Sequence, residues 1–273
     1  MRHVAEGQHI PHGIDPTVPN VARMYDYYLG GKDNYAVDRE AADKIISVVP
    51  SVRPTTKANR AFLGKAVSLL ARQGVRQFVD IGAGLPTQDN VHQVVQRVAA
   101  GARTMYVDND PVVLVHARAL LEDNPETKAI GGDLRRPTEL LADPELREHI
   151  DFDRPVAVLM LAVLHFIPDH DEVAAIVETV RRALVPGSYL LLSHFYTPDD
   201  EQDTVRAGAK VYSATNSGSL TARSLTRING YLSGLDLIEP GLVPVRAWRP
   251  AWEEDAVVDL SVPGLLGAVG RVP

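Results

Sequence analysis

The stretch Phe78–Asn90, FVDIGAGLPTQDN, decides the fold of this chain. It reads as a buried strand that ends in an acid, Asp80, followed by a glycine turn and the start of a helix. Gly82 and Gly84 lack a Cβ, so the turn can adopt unusual dihedral angles and a ligand can approach its backbone closely. Beyond the turn, four valines mark an apolar helix face: Val91, Val94, Val95 and Val98. A strand, a glycine turn and a helix in this order predict the nucleotide-cradling start of a doubly wound α/β sheet.

The charge of Asp80 indicates which kind of ligand this turn would accept. A carboxylate in the crevice would repel the pyrophosphate of a dinucleotide, because the two groups carry charge of the same sign. S-adenosylmethionine (SAM) fits better, since it carries a sulfonium and an α-ammonium group. The alternative is that Asp80 is a turn or cap residue beside packing glycines. Short glycine motifs are weak signals, so the motif alone leaves both interpretations open.

Composition limits the classes of function. With 273 residues the chain can hold one large domain, and its net charge of −7 comes without a basic stripe, which disfavours a nucleic-acid partner. The absence of cysteine excludes disulfides, thiolate zinc sites, iron–sulfur chemistry and cysteine nucleophiles. The first residues lack the apolar core of a secretory signal, and the longest apolar run, 156–164, is too short to span a membrane. We therefore expect a cytoplasmic protein without a membrane partner.

The chain is predicted to have three parts: a flexible N-terminus over 1–18, a helical extension over 19–74 and an α/β domain over 75–273. The histidines near the start, His3, His9 and His12, fit no defined metal spacing, so no metal site is predicted. The first helix of the extension stops at Gly30-Gly31. The tyrosine- and glycine-rich segment around this stop reads either as a helix cap with a tyrosine-lined core face or as a lid over a ligand.

The second and third predicted strands each end in a carboxylate. The strand that ends at Asp108 places an acid near the offset at which such a residue binds both hydroxyls of an adenosine ribose, in SAM or in NAD alike. The third strand ends in GGDLRRP, where Asp133 and Leu134 would meet an adenine amine and ring edge. Capping of a turn by Asp133 is an equally good interpretation.

The fourth and fifth strands each end in a histidine. The apolar run PVAVLMLAVLHFIPD is typical of a central strand, and it brings His165 and Phe166 to the mouth of the crevice at the carboxyl ends of the strands. His194 ends the strand SYLLLSHF in a similar position. Each is either a packed, hydrogen-bonded histidine or a catalytic one. The segments VPVRAWRP and GLLGAVGRV predict a late antiparallel strand pair, and the polar stretch 197–219 would form part of a substrate roof.

These elements in this order resemble a class I SAM-dependent methyltransferase. The predicted fold is thus a Rossmann-like doubly wound sheet, mainly parallel, with an antiparallel C-terminal strand pair and an N-terminal helical extension. More closely, VARMYDYYLGGKDNYAVDREAA, FVDIGAGLPTQDNVHQV, YVDNDPVVLVHARALL, VAVLMLAVLHFIPD and PGSYLLLSH resemble an actinobacterial family of SAM-dependent methyltransferases of unknown substrate, the former DUF574 group. The resemblance covers nearly everything from Pro19 onward.

The resemblance implies a set of SAM contacts. Gly82 and Gly84 would let the backbone approach the methionine portion, with Asp80 near its ammonium end and Asp108 on the ribose. The remaining implied contacts are Asn109, Asp133 and Leu134 at the adenine, backbone of Ala162 near the amino-acid portion, and Tyr28, Gly30, Asn34 and Tyr35 closing the pocket from the N-terminal helices.

The expected reaction is methyl transfer to an oxygen or nitrogen of a small-molecule metabolite. Where the acceptor must lose a proton, His165, His194 or Asp26 would serve as the base. Two other functions stay open: a SAM-binding sensor without transfer, and an NAD(P)-dependent oxidoreductase, against which Asp80 and Thr87 argue. A small-molecule methyl acceptor is the expected partner, and a homodimer is compatible with the sequence.

Overall fold

A computed structural model describes residues 15–86, 89–121, 124–198 and 202–273. Three helices precede a regular alternation of strands and helices. The elements are α1 Val21–Leu29, α2 Ala36–Val48, α3 Val52–Arg72, β1 Gln77–Ile81, α4 Val91–Val98, β2 Arg103–Asp108, α5 Pro111–Leu121, β3 Thr127–Gly131, α6 Pro137–Leu141, α7 Pro144–His149, β4 Ala157–Leu161, α8 His170–Arg182, β5 Tyr189–Tyr196, α9 Gln202–Tyr212, α10 Leu225–Gly230, β6 Asp236–Leu237, β7 Val243–Pro244 and β8 Gly264–Arg271. Thr87, the three early histidines and most of the predicted flexible N-terminus lie outside the described residues.

The strands form a single mixed sheet in the order β3-β2-β1-β4-β5-β8-β6, with β7 also paired to β8. Strands β1 to β5 run parallel, and β8 is antiparallel to β5. The predicted Rossmann-like, mainly parallel sheet with antiparallel C-terminal strands is confirmed. The chain order reverses between β1 and β4, and at such a switch point the loops diverge and leave a crevice outside the carboxyl ends of the strands.

The late antiparallel pairing differs in detail from the prediction. Within VPVRAWRP, Val243–Pro244 forms the strand, and a short 3₁₀ turn over Val245–Ala247 follows. The physical reason lies in the sequence, because Pro244 has no N–H to continue a strand ladder. In addition, Trp248 is buried in the core, where its ring packs edge-to-face against Phe62 with 5.2 Å between the ring centroids. The long partner of β8 is therefore β5.

The three N-terminal helices are packed in two different ways. Helix α3 lies directly on the sheet, where Phe62, Ala66 and Leu70 are fully buried in the same cluster as strand residues. Helices α1 and α2 instead form a cluster with α9, in which Tyr28 and Tyr212 are buried together. This second cluster covers the crevice and gives it a roof.

Buried polar groups tie the start of this roof to the sheet. Asn20 caps α1 by accepting a hydrogen bond from the Arg23 backbone N–H at 3.0 Å, and its side-chain amide donates to Asp110, the residue before α5. Arg23 forms a buried ion pair with Asp38 of α2 at 2.7 Å, and the Asn20 backbone N–H also donates to Asp38 at 2.8 Å. One interaction set thus holds α1, α2 and α5 together.

Candidate active site

A cavity of about 320 Å³ lies at the carboxyl ends of β1, β2 and β4, beneath α1, α2 and α9. Its floor is formed by strand ends and the loops that follow them. Ten residues proposed from the sequence line this cavity: Asp80, Gly82, Gly84, Asp108, Asn109, Asp133, Leu134 and Ala162 from the sheet side, and Asp26 and Tyr28 from α1. His165 joins them at the end of β4.

The glycine turn after β1 needs glycine for two reasons. Gly82 and Gly84 have φ of +76° and +66°, in the left-handed region that side chains disfavour. A Cβ on Gly82 would also lie 2.6 Å from Cγ2 of Val163, a contact that real atoms do not make. The turns after β1 and β4 therefore pack against each other, and this brings the Gly82 backbone close to the cavity.

Asp108 fastens the glycine turn to the end of β2. One carboxylate oxygen accepts the Gly84 backbone N–H at 2.9 Å and the other accepts the Asp110 N–H at 2.9 Å. An ionised carboxylate offers about four lone-pair sites, so about two remain for a ligand that presents neighbouring hydroxyls. Burial raises the pKa of Asp108 above its ordinary value.

Asp80 is a buried carboxylate in the cavity wall. The residue is 5% exposed, and its side chain accepts no hydrogen bond from any of the residues that the structure describes. Burial raises the pKa of Asp80 to about 7, against the opposing effect of the Arg60 guanidinium. A buried carboxylate without a donor favours a cationic guest that supplies one.

Asp133 stands at the rim, in a different environment. The Arg135 side chain donates to its two carboxylate oxygens, with Nε at 2.9 Å from one and Nη2 at 2.7 Å from the other. These hydrogen bonds hold the pKa of Asp133 below its usual range. The next residue, Leu134, is buried and supplies the apolar surface there. This end of the cavity suits a planar ring with a polar edge.

The structure separates the two histidines. His194 is fully buried and does not line the cavity; its Nδ1 lies 2.8 Å from the Phe195 carbonyl oxygen and its Nε2 lies 2.8 Å from Arg223 Nη1. Burial lowers the pKa of His194 to about 3. With both nitrogens engaged, His194 cannot reach an acceptor in the cavity. Strand alternation is the reason, since it is the next residue, Phe195, whose side chain faces the site.

His165 does line the cavity, and it too is buried. Its Nδ1 accepts the Phe195 backbone N–H at 3.3 Å. Burial lowers the pKa of His165 well below its ordinary value, and the nearby Arg223 acts in the same direction. The imidazole is therefore neutral at physiological pH.

Three residues expected to close the pocket are not among those that line it: Gly30, Asn34 and Tyr35. Gly30 ends α1 with φ of +86°, Asn34 donates to Asp26 Oδ2 at 2.8 Å, and the Arg23 guanidinium stacks over the Tyr35 ring. They form the loop behind Asp26 instead. That loop approaches Asp26 so closely at Gly31 that a Cβ there would collide with the carboxylate.

Phe166, predicted at the mouth of the crevice, also lines the cavity. Other lining residues were not proposed as site residues from the sequence. Asn59 and Arg60 come from α3, and Tyr25 comes from the tyrosine-rich segment in α1, where its hydroxyl accepts a hydrogen bond from Asn59 Nδ2 at 3.1 Å. The one available signal was a polar pair on the otherwise apolar face of α3. Tyr212 of α9 also lines the cavity, in the stretch predicted to form a roof.

Two classes of feature are absent from the part of the chain that is described. It holds no group of three or more His, Asp or Glu side chains arranged to bind a metal ion. Of the helices within the same ranges, none has both the length and the apolar character needed to cross a membrane.

Comparison with known proteins gives a consistent result. A model of the S-adenosyl methyltransferase family matches residues 7–273. A DUF574-family protein from Streptomyces avermitilis is 39% identical, with a TM-score of 0.86 over 94% of this chain and 98% of the other. A proposed methyltransferase from Thermobifida fusca is 36% identical, with a TM-score of 0.87 over 96% of this chain and 98% of the other.

A more distant structure shares only the fold. The N-methyltransferase NodS from Bradyrhizobium japonicum, solved with S-adenosyl-L-homocysteine (SAH), is 14% identical, with a TM-score of 0.51 over 81% of this chain and 88% of the other. A search among curated proteins found no match.

The fold and the family match define a class I SAM-dependent methyltransferase, and SAM is its cofactor. The residues present fit that cofactor: a buried carboxylate at Asp80 that accepts no hydrogen bond from the described residues, a Gly82 backbone at the cavity wall, and spare lone pairs on Asp108. The chain belongs to the S-adenosyl methyltransferase family, the group that includes DUF574 proteins.

Proposed function

We propose that this protein transfers the methyl group of SAM to an oxygen or nitrogen atom of a small-molecule metabolite. The observation that carries the proposal is the continuity of one roofed cavity from the acids of the glycine turn to an aromatic pocket. Phe166, Phe195 and Tyr212 line that pocket, under helices α1, α2 and α9. A roofed apolar pocket with few polar groups is typical of a site for a small molecule.

The roof argues against a macromolecular acceptor. Tyr28 of α1 and Tyr212 of α9 place their hydroxyls 3.3 Å apart, and Asn216 accepts the Val21 backbone N–H at 3.1 Å. These contacts join α1 to the segment around α9 on the side opposite the sheet. The net charge of −7 also disfavours a nucleic-acid acceptor, which a basic surface would attract.

The roles of this chain's residues follow from their positions. Asp80 would accept hydrogen bonds from the ammonium group of SAM, Asp108 from its ribose hydroxyls, and Leu134 would pack on the adenine. Bound SAM supplies an electrophilic methyl group that is already activated. The protein's task is then to hold the acceptor in line and exclude water, and such positioning supplies about 7–11 kcal/mol of barrier reduction in favourable cases.

Incubation with methyl-labelled SAM tests the proposal. Two fractions of a cell extract would be compared, one of small metabolites and one of protein and nucleic acid. We expect label in the small-molecule fraction alone, and about 10- to 100-fold less of it with the Asp80→Asn variant under subsaturating SAM. Label confined to the macromolecular fraction would contradict the proposal.

A SAM-binding sensor predicts a different outcome, in which SAH binds by calorimetry and neither fraction gains label. An NAD(P)-dependent oxidoreductase predicts binding of NADH in place of SAH. The same protein preparation therefore separates the three functions.

A further inference from the structure

The backbone of one residue, Phe195, orients both buried histidines. The Phe195 backbone N–H donates to His165 Nδ1 at 3.3 Å, and the Phe195 carbonyl oxygen lies 2.8 Å from His194 Nδ1. A backbone N–H can only donate and a carbonyl can only accept. His165 must therefore present a lone pair at Nδ1, whereas His194 must carry a proton there.

This assignment fixes which ring nitrogen carries the proton in each neutral imidazole. A neutral ring carries one N–H, so His165, with a lone pair at Nδ1, holds its proton at Nε2. His194 has the opposite tautomer, which leaves its Nε2 to accept from Arg223 Nη1 at 2.8 Å.

Burial keeps both rings neutral, and the charge of Arg223 acts in the same direction. Its guanidinium is buried and also donates to the carbonyl oxygens of Ile167 and Asp169 at 2.8 and 3.1 Å. A fixed cation this close disfavours a second positive charge on either imidazole.

The Nε2–H of His165 opens onto the cavity. It has no hydrogen-bond partner within the described part of the chain. Nor does it belong to the solvent-inaccessible side-chain atoms without a partner in those residues, so it remains accessible from the cavity. Its surroundings are aromatic: the ring centroid of His165 lies 4.5 Å from that of Phe166 and 6.3 Å from that of Phe195, and Phe166 in turn lies 5.7 Å from Tyr212. A single N–H donor thus projects into an apolar, aromatic pocket.

We propose that His165 donates this Nε2–H to a lone pair of the methyl acceptor, and that the acceptor is a molecule with an apolar, planar body and one oxygen or nitrogen that accepts a hydrogen bond. The inference rests on the proposed function, because it assigns the aromatic pocket to the acceptor. It also replaces the earlier expectation for this residue: with the proton already at Nε2, His165 positions the acceptor and does not remove a proton from it.

The tautomers are measurable without any substrate. In protein labelled with ¹⁵N at histidine, long-range ¹H–¹⁵N correlation spectra distinguish Nε2–H, Nδ1–H and imidazolium rings. Near neutral pH we expect the Nε2–H pattern for His165 and the Nδ1–H pattern for His194. An Nδ1–H or imidazolium pattern for His165 would overturn the proposal, whether or not methyl transfer is ever observed.

Three small probes then test the contact in the presence of SAH: anisole, phenol and toluene. Anisole only accepts hydrogen bonds, phenol accepts and donates, and toluene does neither. A donor at Nε2 responds to anisole and phenol but not to toluene, so we expect the first two to shift the Nε2 resonance. A response to phenol alone would show that Nε2 carries a lone pair. The absence of a shift with all three probes would show that Nε2 makes no hydrogen bond to a molecule in the pocket. Either result overturns the proposal.

Two variants separate the donor from mere packing. His165→Gln places an amide NH₂ near the Nε2 position, whereas His165→Asn preserves only the contact to the Phe195 N–H. We expect anisole binding to stay within about threefold in the Gln variant and to weaken about five- to tenfold in the Asn variant. Equal losses in both would contradict donation. Unchanged SAH affinity and an unchanged His194 pattern control for folding.

Discussion

Replacing Asp80 with asparagine should change stability and ligand affinity in opposite directions. In the free protein, burial raises the pKa of this carboxyl from 3.8 to about 7. Because the folded-state pKa lies above the unfolded value, the folded protein binds the proton more tightly, and stability is lost as pH rises through that window. That rise in pKa corresponds to about 4 kcal/mol, so Asp80→Asn should raise the free energy of unfolding at about pH 8 by up to that amount.

Ligand binding should respond the other way, since only the ionised carboxylate attracts an ammonium group. With a pKa near 7, the ionised fraction rises about tenfold between about pH 6 and pH 8, and SAH affinity should rise with it. Asparagine removes this dependence and, by losing a charge-assisted hydrogen bond, weakens SAH binding about 10- to 100-fold at the higher pH.

Calorimetry over this pH range measures the affinity, and denaturant unfolding of the free protein measures the stability. Methylthioadenosine, which lacks the amino-acid portion, should bind with no pH dependence and equally well to both proteins. Asp153→Asn, at an exposed position before β4, is the charge-matched control and should change neither quantity. A pH-independent SAH affinity in the native protein, or an unchanged affinity in Asp80→Asn, would refute the reasoning.

Two further predictions concern the frame of the site. Gly82→Ala should lower SAH affinity and cost about 2–4 kcal/mol of stability, because its Cβ would collide with Val163 and its φ is left-handed. Gly84→Ala, which has the left-handed φ but open space around it, should cost only about 1–2 kcal/mol. Equal losses of stability in thermal unfolding would contradict this. Asp38→Ala should lower the free energy of unfolding by about 3–5 kcal/mol, because it leaves the buried Arg23 guanidinium without its carboxylate. Removal of the exposed Asp89–Arg97 pair by Asp89→Ala should lower it by less than about 1 kcal/mol. A small effect at Asp38 in denaturant unfolding would show that the roof is not held by this pair.

The sheet and the cofactor end of the cavity could be predicted because local patterns determine them. The acid and glycines after β1 and the acid after β2 lie next to strands whose apolar runs are unmistakable, and parallel strands bring their carboxyl ends to one edge. The structure places Asp80, Gly82 and Asp108 together at that edge.

The acceptor end was harder to predict, because it depends on contacts between distant segments. Tyr25, Asn59 and Tyr212 reach the cavity from three different helices, and no local pattern shows that these helices lie together. His194 shows a second limit: whether a residue at a strand end faces the site or the core depends on the alternation of the strand, and an error of one residue reverses the answer. The tautomer of His165 depends on a backbone N–H thirty positions away, which no local pattern reveals.

A crystal structure of the protein with SAH tests the central claim most directly. The account predicts that the amino nitrogen of SAH lies within hydrogen-bond distance of the Asp80 carboxylate, and that both ribose hydroxyls lie on Asp108. A bound SAH whose amino-acid portion turned away from Asp80, or whose ribose did not touch Asp108, would contradict it.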